Sequence, residues 1–230
     1  MAHHALHEAV ELGDIPAIRR ALQMGVHVNQ ENPDTWETAL ILATTNGNVE
    51  VVEFLINVGA DINLGNASDK TAVHYAAENN QLQILEMLIK TGRADVNVKN
   101  ASGESPLHMA IRKDHVDAAR MLLEAGAEAN EDTADEYMGI EAEFEYPLHI
   151  ACKRGNAQIV KMLLEHGANV NFQDHDGATP LYRAVRSGNP EVVQMLLTAG
   201  ADKSTGTFDG YSPLDLAKMR KNNVITSMLL

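Results

Sequence analysis

One short pattern recurs along the chain and constrains the possible folds more than any other feature. An apolar residue that the copies share stands at positions 6, 40, 73, 107, 148, 181 and 214, with steps of 34, 33, 34, 41, 33 and 33 residues. A series of glycines keeps the same phase at positions 25, 59, 92, 126, 167 and 200. Two markers with a common period indicate a repeat protein, in which each copy is one small supersecondary unit.

The sequence pattern of each unit predicts two short helices joined by a turn. A Ser or Thr caps the first helix in most units. The residues Pro106, Pro180 and Pro213 occupy the opening turn of their helices. The missing N–H costs nothing there. Glycine marks the turn that follows in four units, at Gly13, Gly47, Gly155 and Gly188. A second apolar run at helical spacing comes next, and the phased glycine series ends it.

The unit resembles the ankyrin repeat. Residues 105–130 and 179–222 nearly spell out its pattern of T-P-L-H-x-A, a turn, an I-V-x-x-L-L helix and G-A-D-V-N. The resemblance covers about seven repeats, at 2–33, 34–66, 67–100, 101–133, 142–174, 175–207 and 208–230. It implies an all-α solenoid of stacked helix-turn-helix units joined by β-hairpin-like loops. One unit cannot bury its own apolar face, so we expect a single domain over 1–230, roughly 60 to 70 Å long.

Four residues depart from the pattern. Ala39 and Ala72 replace the proline, Tyr146 replaces the capping Thr, and Lys221 replaces the turn glycine. These departures weaken single caps and leave the predicted fold unchanged.

Composition excludes several functional classes. With 32 acidic against 18 basic residues, the net charge of −14 disfavours binding to a nucleic-acid backbone. No stretch approaches the roughly 20 apolar residues of a membrane span, and residues 1–14 lack a secretory signal. One cysteine excludes an internal disulfide and a Cys-rich zinc site. We therefore expect an intracellular, cytoplasmic monomer, with the nucleus as a second location, that binds neither nucleic acid nor membrane.

The candidate chemical groups favour structural roles. Four histidines share one repeat position, at His7, His74, His108 and His149. Equivalent residues of stacked units lie on the order of 10 Å apart, too far to share a zinc ion, so a hydrogen bond to loop backbone is expected. Cys152 is expected to be a small packing residue, and residues 174–176 a solvated turn rather than a calcium loop. No catalytic site, metal site or cofactor is predicted.

The last turn of each first helix and the loop tips form the expected concave binding face, as the ankyrin resemblance implies. The first three units present acidic or neutral residues there, such as Glu78. The last four present a basic stripe, which consists of Arg112, Lys113, Lys153, Arg154, Arg186 and Arg220. The stripe predicts selection of an acidic or phosphorylated peptide. The alternative is that these cations only favour the helix dipole.

An acidic insertion and exposed aromatics complete the candidate surface. The 41-residue step inserts residues at about 131–145, and residues 128–145 carry eight carboxylates and no basic residue. Tyr137 and Phe144 lie among them. The insertion is either a tolerated surface loop or an element that binds a Lys- or Arg-bearing segment. Trp36, Phe208 and Tyr211 stand at other loop tips, where they serve either binding or packing between tips.

These features together predict a non-catalytic scaffold that binds a protein or peptide partner of mixed charge in its concave groove. Two alternatives remain: a regulatory subunit, inhibitor or assembly factor of an enzyme complex, or a targeting module excised from a larger protein.

Overall fold

A computed structural model describes residues 2–134 and 144–230, and these residues form short helices in antiparallel pairs. The fourteen helices of the described residues are α1 (Ala2–Glu11), α2 (Ile15–Gln23), α3 (Ala39–Thr45), α4 (Val49–Asn57), α5 (Ala72–Glu78), α6 (Leu82–Lys90), α7 (Pro106–Arg112), α8 (Val116–Glu124), α9 (Pro147–Arg154), α10 (Ala157–Glu165), α11 (Pro180–Ser187), α12 (Pro190–Thr198), α13 (Pro213–Met219) and α14 (Asn223–Leu229). The described part contains no β-strand, only an isolated antiparallel bridge between Glu31 and Thr38. The predicted all-α repeat architecture is confirmed.

Side-chain caps explain where the helices begin. The Thr38 hydroxyl accepts a hydrogen bond of 3.3 Å from the Ile41 N–H, as predicted for the first helix of a unit. Four of the seven second helices, α4, α10, α12 and α14, have asparagine caps that the sequence analysis did not assign. The side chain of Asn48, for example, accepts a hydrogen bond of 3.1 Å from the Val51 N–H. In the second repeat, Thr38 and Asn48 thus give each helix of the pair its own start signal.

The turn inside each unit requires left-handed backbone. Gly13, Gly47, Gly155 and Gly188 have φ between 68° and 80° there. In three units a residue with a side chain takes the same conformation, at Asn80, Asp114 and Lys221, with φ of 54°, 58° and 54°. The turn at Lys221 therefore forms without glycine, at the steric cost of a left-handed residue with a Cβ.

The shared histidines join neighbouring units. In the third unit, His74 Nδ1 accepts a hydrogen bond of 3.1 Å from the Thr71 N–H, and Nε2 donates one of 3.1 Å to the Glu104 carbonyl. His7 and His149 make the corresponding Nε2 bonds to loop carbonyls at 3.0 and 2.9 Å. The predicted structural role is confirmed for these three residues.

Tyr146 changes this network in the unit that carries it. As a cap residue it makes no side-chain hydrogen bond to the helix, and its ring packs 5.5 Å from the His149 ring, centroid to centroid. Among the described residues, His149 Nδ1 has no hydrogen-bond partner. Burial lowers the pKa of His149, as it also does for His74, so both imidazoles favour the neutral form.

The hydrophobic core contains the same apolar position from successive repeats. Six of the seven phased apolar anchors are buried, whereas Leu214 in the last unit is partly exposed. Asparagines beyond the second helices connect successive loops, since the Asn29 side chain accepts a hydrogen bond of 2.9 Å from the Asp61 N–H, and Asn63 does the same for Asp95. Side-chain to backbone bonds thus keep consecutive loops in register.

At a level above the repeats, the chain divides into two compact units. The first unit is Met1–Met109 and the second unit is Ala110–Leu230. The division falls within α7. Membership of all seven repeats in one domain stays a prediction. No helix in the described ranges has the length and apolarity needed to cross a bilayer.

Candidate functional site

The basic stripe of the second unit lines three adjoining pockets, which we call the charged groove. The first, of about 440 Å³, is lined by Arg112, Glu145, Lys153, His175, Asp176, Arg183 and Arg186. The second, of about 280 Å³, shares the last four of these residues and adds Ala178, Tyr182, Thr207, Phe208 and Asp209. The third, of about 470 Å³, is lined by Arg112, Ile150, Lys153 and Arg154.

The helices α9 and α11 place the cations of the groove. Lys153 and Arg154 belong to the last turn of α9, and Arg186 belongs to the last turn of α11. Positive side chains there are favoured by the negative end of the helix dipole. Because the two helices pack side by side, residues of equivalent repeat position face one groove.

Glu145 lies between two cations of the stripe. Its carboxylate accepts a hydrogen bond of 3.0 Å from Lys153 Nζ and lies 3.4 Å from Arg112 Nη1. The residue is held in a hairpin-like contact, where the Thr133 hydroxyl accepts a hydrogen bond of 3.0 Å from the Glu145 N–H. The last carboxylate of the acidic insertion therefore lies in the groove and neutralises part of the stripe, because residue 145 directly precedes the cap of α9.

Arg154 is also paired. Its Nε donates a hydrogen bond of 2.6 Å to Asp114, whose other oxygen accepts one of 3.3 Å from Asn156. This hydrogen bond raises the pKa of Arg154, so the side chain keeps its charge throughout the accessible pH range. Asp114 occupies the turn position that glycine fills in four other repeats, and its side chain reaches Arg154 of the next repeat.

Arg183 forms the buried centre of the groove. Its Nε donates a hydrogen bond of 2.7 Å to Asp174, and its Nη2 donates one of 2.6 Å to Asp176. Arg183 is 3% exposed and Asp174 1% exposed. Burial by itself would lower the pKa of Arg183, but the two hydrogen-bonded carboxylates outweigh it and raise the pKa. The hydrogen bond from Arg183 Nη2 lowers the pKa of Asp176.

This geometry corrects the expectation of a solvated turn at Asp174, which is buried, whereas Asp176 is exposed as expected. Asp174 also accepts hydrogen bonds of 3.0 Å from the N–H groups of Asp176 and Ala178. These hydrogen bonds and the ion pair with Arg183 offset part of the cost of removing the Asp174 carboxylate from water. The sequence analysis missed Arg183 and the pairing of Glu145. The equivalent residues of the third repeat, Asn66 and Tyr75, are also nine residues apart and share a hydrogen bond of 2.9 Å, so the contact between these two positions recurs in the structure.

Two aromatic residues border the groove, and they have different roles. Phe208 is 75% exposed, and its N–H donates a hydrogen bond of 3.1 Å to the Asp176 carbonyl. Its ring packs on Gly177, where an added Cβ would lie 2.7 Å from the ring. The Phe144 carbonyl accepts a hydrogen bond of 3.0 Å from His175 Nδ1. Phe144 thus positions a groove residue, whereas Phe208 presents an apolar face to solvent.

The other predicted site residues lie outside these three pockets. Lys113, Arg220 and Tyr211 belong to the second unit and do not line them. In the first unit, Trp36 is 56% exposed at a loop tip, and Glu78 accepts a hydrogen bond of 3.0 Å from Lys70. Tyr137 lies outside the described residues. The structure therefore brings together Arg112, Lys153, Arg154, Arg186 and Phe208 from the predicted set.

The single cysteine is poorly suited to nucleophilic chemistry. Cys152 is fully buried, and burial raises the pKa of its thiol, so the reactive thiolate is suppressed. In the described ranges, no three His, Cys, Asp or Glu side chains cluster in a way that would hold a metal ion.

Comparison with known proteins decides the family. A family model described as "Ankyrin repeats (3 copies)" matches residues 6–100, 65–133 and 130–207. The chain belongs to the ankyrin-repeat family. Ankyrin repeats are generally protein–protein interaction modules, and the ankyrin fold is generally non-enzymatic.

Solved and curated ankyrin proteins agree with this assignment. The crystal structure of the ankyrin repeat domain of Bcl-3, titled a unique member of the IkappaB protein family, superposes with a TM-score of 0.84 at 29% identity. The match covers 98% of this chain and 97% of that one. The Notch-regulated ankyrin repeat-containing protein of Xenopus tropicalis is 35% identical over 86 residues, 36% of this chain and 75% of that protein.

Longer proteins match over smaller shares. The mitochondrial disaggregase of Bos taurus is 36% identical over 85 residues, which is 37% of this chain and 12% of that protein. The alignment with the inactive serine/threonine-protein kinase TEX14 of Bos taurus covers 6% of the kinase. The chain thus spans a small fraction of the length of these two relatives.

Proposed function

We propose that this ankyrin protein is a non-catalytic binding module that holds a segment of a protein partner in the charged groove of its second unit. The observation that carries the proposal is the groove itself. It combines three adjoining pockets with cations and carboxylates whose positions are held by hydrogen bonds.

The lining favours a protein partner of mixed charge. Lysine and arginine side chains alternate with the carboxylates of Glu145, Asp176 and Asp209, and Phe208 adds an exposed apolar contact. A polyanionic backbone such as nucleic acid would meet these carboxylates and the overall charge of −14. A peptide segment can match both signs of charge and the aromatic ring.

Preorganisation supports the same function. Glu145 is held by Lys153 and Arg112, and Asp176 is held by Arg183. A partner therefore meets groups that are already in place, which reduces the ordering cost of binding. Suppression of the Cys152 thiolate by burial supports a non-catalytic role.

Site-specific photo-crosslinking tests this function. A photoreactive phenylalanine analogue replaces Tyr182, which lines the groove, and in a control chain it replaces Arg120, an exposed residue of α8 that does not line these pockets. We expect a protein that crosslinks at position 182 and not at position 120. The partner is then purified, and its affinity for the unlabelled whole chain is measured by calorimetry.

Charge reversal with a matched control completes the test. Lys153→Glu places a negative charge beside Glu145, whereas Lys161→Glu makes the same charge change on α10 at an exposed pair with Glu165. The groove variant should weaken binding about tenfold, more strongly at 50 mM than at 300 mM salt, and the control should leave it unchanged. Equal crosslinking at both positions, or equal affinities of both variants, would contradict the proposal.

The identity of the captured protein also tests the alternative role as a regulatory or assembly factor, because that role requires an enzyme or an enzyme subunit as the partner. The intracellular location and monomeric state stay predictions.

A further inference from the structure

Two repeats pair the residue before the helix cap with the residue eight positions later, in the last turn of the same helix. Lys70 Nζ pairs with Glu78 at 3.0 Å in the third repeat, and Lys153 Nζ pairs with Glu145 at 3.0 Å in the fifth, with the charges exchanged. In these two repeats the position before the cap thus supplies the counter-charge for the last turn.

The sixth repeat lacks this counter-charge. The corresponding residues are Ala178 and Arg186, so the position before the cap supplies no counter-charge to the guanidinium, which interacts with the Asp176 carboxylate only electrostatically and forms no ion pair with it. Arg186 is exposed and makes no side-chain hydrogen bond or ion pair with residues 2–134 or 144–230. Asp209 lines the same pocket as Arg186, and these two residues form no ion pair. Arg186 lines two of the three pockets, so its charge is directed at the centre of the groove.

Among the described residues, the cations around the first pocket outnumber the carboxylates paired with them by one. Its cations are Arg112, Lys153, Arg183 and Arg186. The carboxylates that neutralise them are Glu145, Asp174 and Asp176. A single negative charge would complete the set. A dianion such as a phosphate would be repelled by Glu145 and Asp176, which line the pocket, because like charges at close range are destabilising.

From this geometry we infer that Arg186 is the anchor for one carboxylate of the partner segment that the proposed function places in the groove. A guanidinium binds a carboxylate through two parallel hydrogen bonds. Phe208 lines the neighbouring pocket together with Arg186, so an apolar residue beside the carboxylate contacts its exposed ring. The ligand is an acidic and apolar peptide segment, and the carboxylate belongs to an Asp or Glu side chain or to a chain end.

Peptide selection on the whole chain tests the inference. Random dodecapeptides displayed on phage are selected against the immobilised protein, and the enriched sequences are synthesised with amidated ends and a neutral fluorophore. We expect Asp or Glu to recur at one position. Replacing that residue by Asn or Gln should weaken binding about tenfold in a fluorescence-anisotropy titration.

Two variants assign the effect to Arg186. Arg186→Gln should lower the affinity of the acidic peptide about tenfold and leave that of its amide counterpart unchanged. Arg220→Gln removes another exposed cation without a side-chain partner in the described ranges, outside the groove, and should change neither affinity. Circular dichroism of both variants should match that of the parent chain, because neither side chain is buried.

The remaining outcomes are distinct. Enrichment only of peptides with a free carboxyl end assigns the site to a chain terminus, which keeps the carboxylate. Tighter binding of a phosphoserine peptide than of the Glu peptide overturns the choice of carboxylate, and peptides insensitive to Arg186→Gln overturn the anchor while the binding function stands. Failure to enrich any peptide, together with no partner crosslinked at position 182, contradicts the binding function itself.

Discussion

Arg183 holds the groove together through contacts that are almost entirely buried. It bridges Asp174 and Asp176, and Asp176 in turn lines the pocket that Arg186 enters. A buried charge that loses its partner is costly, because neither water nor another group compensates it. The stability of the fold and the shape of the groove therefore depend on the same side chain.

We predict that Arg183→Met lowers the free energy of unfolding by about 3 to 5 kcal/mol, since it leaves the Asp174 carboxylate buried without its cation. Urea unfolding followed by circular dichroism measures the change. The control Lys161→Met breaks an exposed pair of 3.8 Å with Glu165 and should cost less than about 0.5 kcal/mol. Equal losses in the two variants would show that the buried pair has no special weight.

His149 predicts a pH dependence of stability. Burial lowers its pKa in the folded chain, so between the folded pKa and the unfolded value of about 6.5 the unfolded chain binds the extra proton. The stability that depends on neutral His149 is therefore complete above the unfolded pKa of about 6.5, and it is lost as the pH falls from there toward the folded pKa. His149→Gln keeps a donor for the Ala178 carbonyl and removes this proton uptake.

The measurement is the difference in unfolding free energy between pH 7.5 and 5.5. It should be smaller in His149→Gln than in the parent chain by on the order of 1 kcal/mol. The control His166→Gln replaces an exposed imidazole and should preserve the parent difference. A parent chain and a His149→Gln variant with identical pH profiles would refute the link between burial and stability.

At the scale of the helix pair, local signals decide the structure of each unit. Caps start both helices, and a left-handed residue ends the first of them. Glycine suits that position because it has no Cβ, and the units with Asn80, Asp114 and Lys221 tolerate a steric cost instead. Asp114 gains an ion pair with Arg154 in return, whereas no described contact of the Lys221 side chain explains its choice.

Lys221→Gly should therefore stabilise the fold by about 0.5 to 1 kcal/mol, because it relieves a left-handed backbone with φ of 54°. The control Lys218→Gly makes the same chemical change within α13 and should destabilise by a similar amount, since glycine is a poor helix former. Thermal unfolding of both variants gives the two signs. A loss of stability in Lys221→Gly would mean that the lysine makes a favourable contribution in the turn.

At the scale of the whole molecule, the net charge of −14 is the dominant electrostatic feature. Excess like charge destabilises a compact state through self-repulsion, and salt screens it within a Debye length of about 10 Å at 0.1 M. The groove concentrates cations in a chain that is otherwise strongly acidic. An acidic segment is therefore attracted to the groove at short range and repelled by the remaining surface at long range.

Raising NaCl from 20 to 200 mM should increase the melting temperature of the parent chain, because screening relieves this repulsion more than it weakens exposed ion pairs. The double variant Glu53→Gln with Glu124→Gln removes two exposed carboxylates that form no ion pair within the described ranges, and its increase should be smaller. Differential scanning calorimetry gives both values. A melting temperature that falls with salt would indicate that ion pairs dominate over net repulsion.

Much of the fold could be predicted from residues that act within one unit. The anchors, the caps and the turn glycines each signal a local conformation, and Leu6 and Leu40 are buried as their phase predicts. The histidine role was also predictable, because one recurring residue type at one repeat position must meet the same neighbouring loop. Tyr146 and Lys221 break the local pattern, and the helices still form because the rest of each unit agrees.

The charges behave differently, because a row of cations in the sequence says nothing about the anions that lie beside them. Residue order determined the repeat, the family and the basic positions. Only the tertiary structure placed Glu145 between Arg112 and Lys153, buried Asp174 against Arg183, and left Arg186 without an ion pair among the described residues. The physical reason is range: caps and turns are set by residues a few positions apart, whereas an ion pair depends on distances that packing decides.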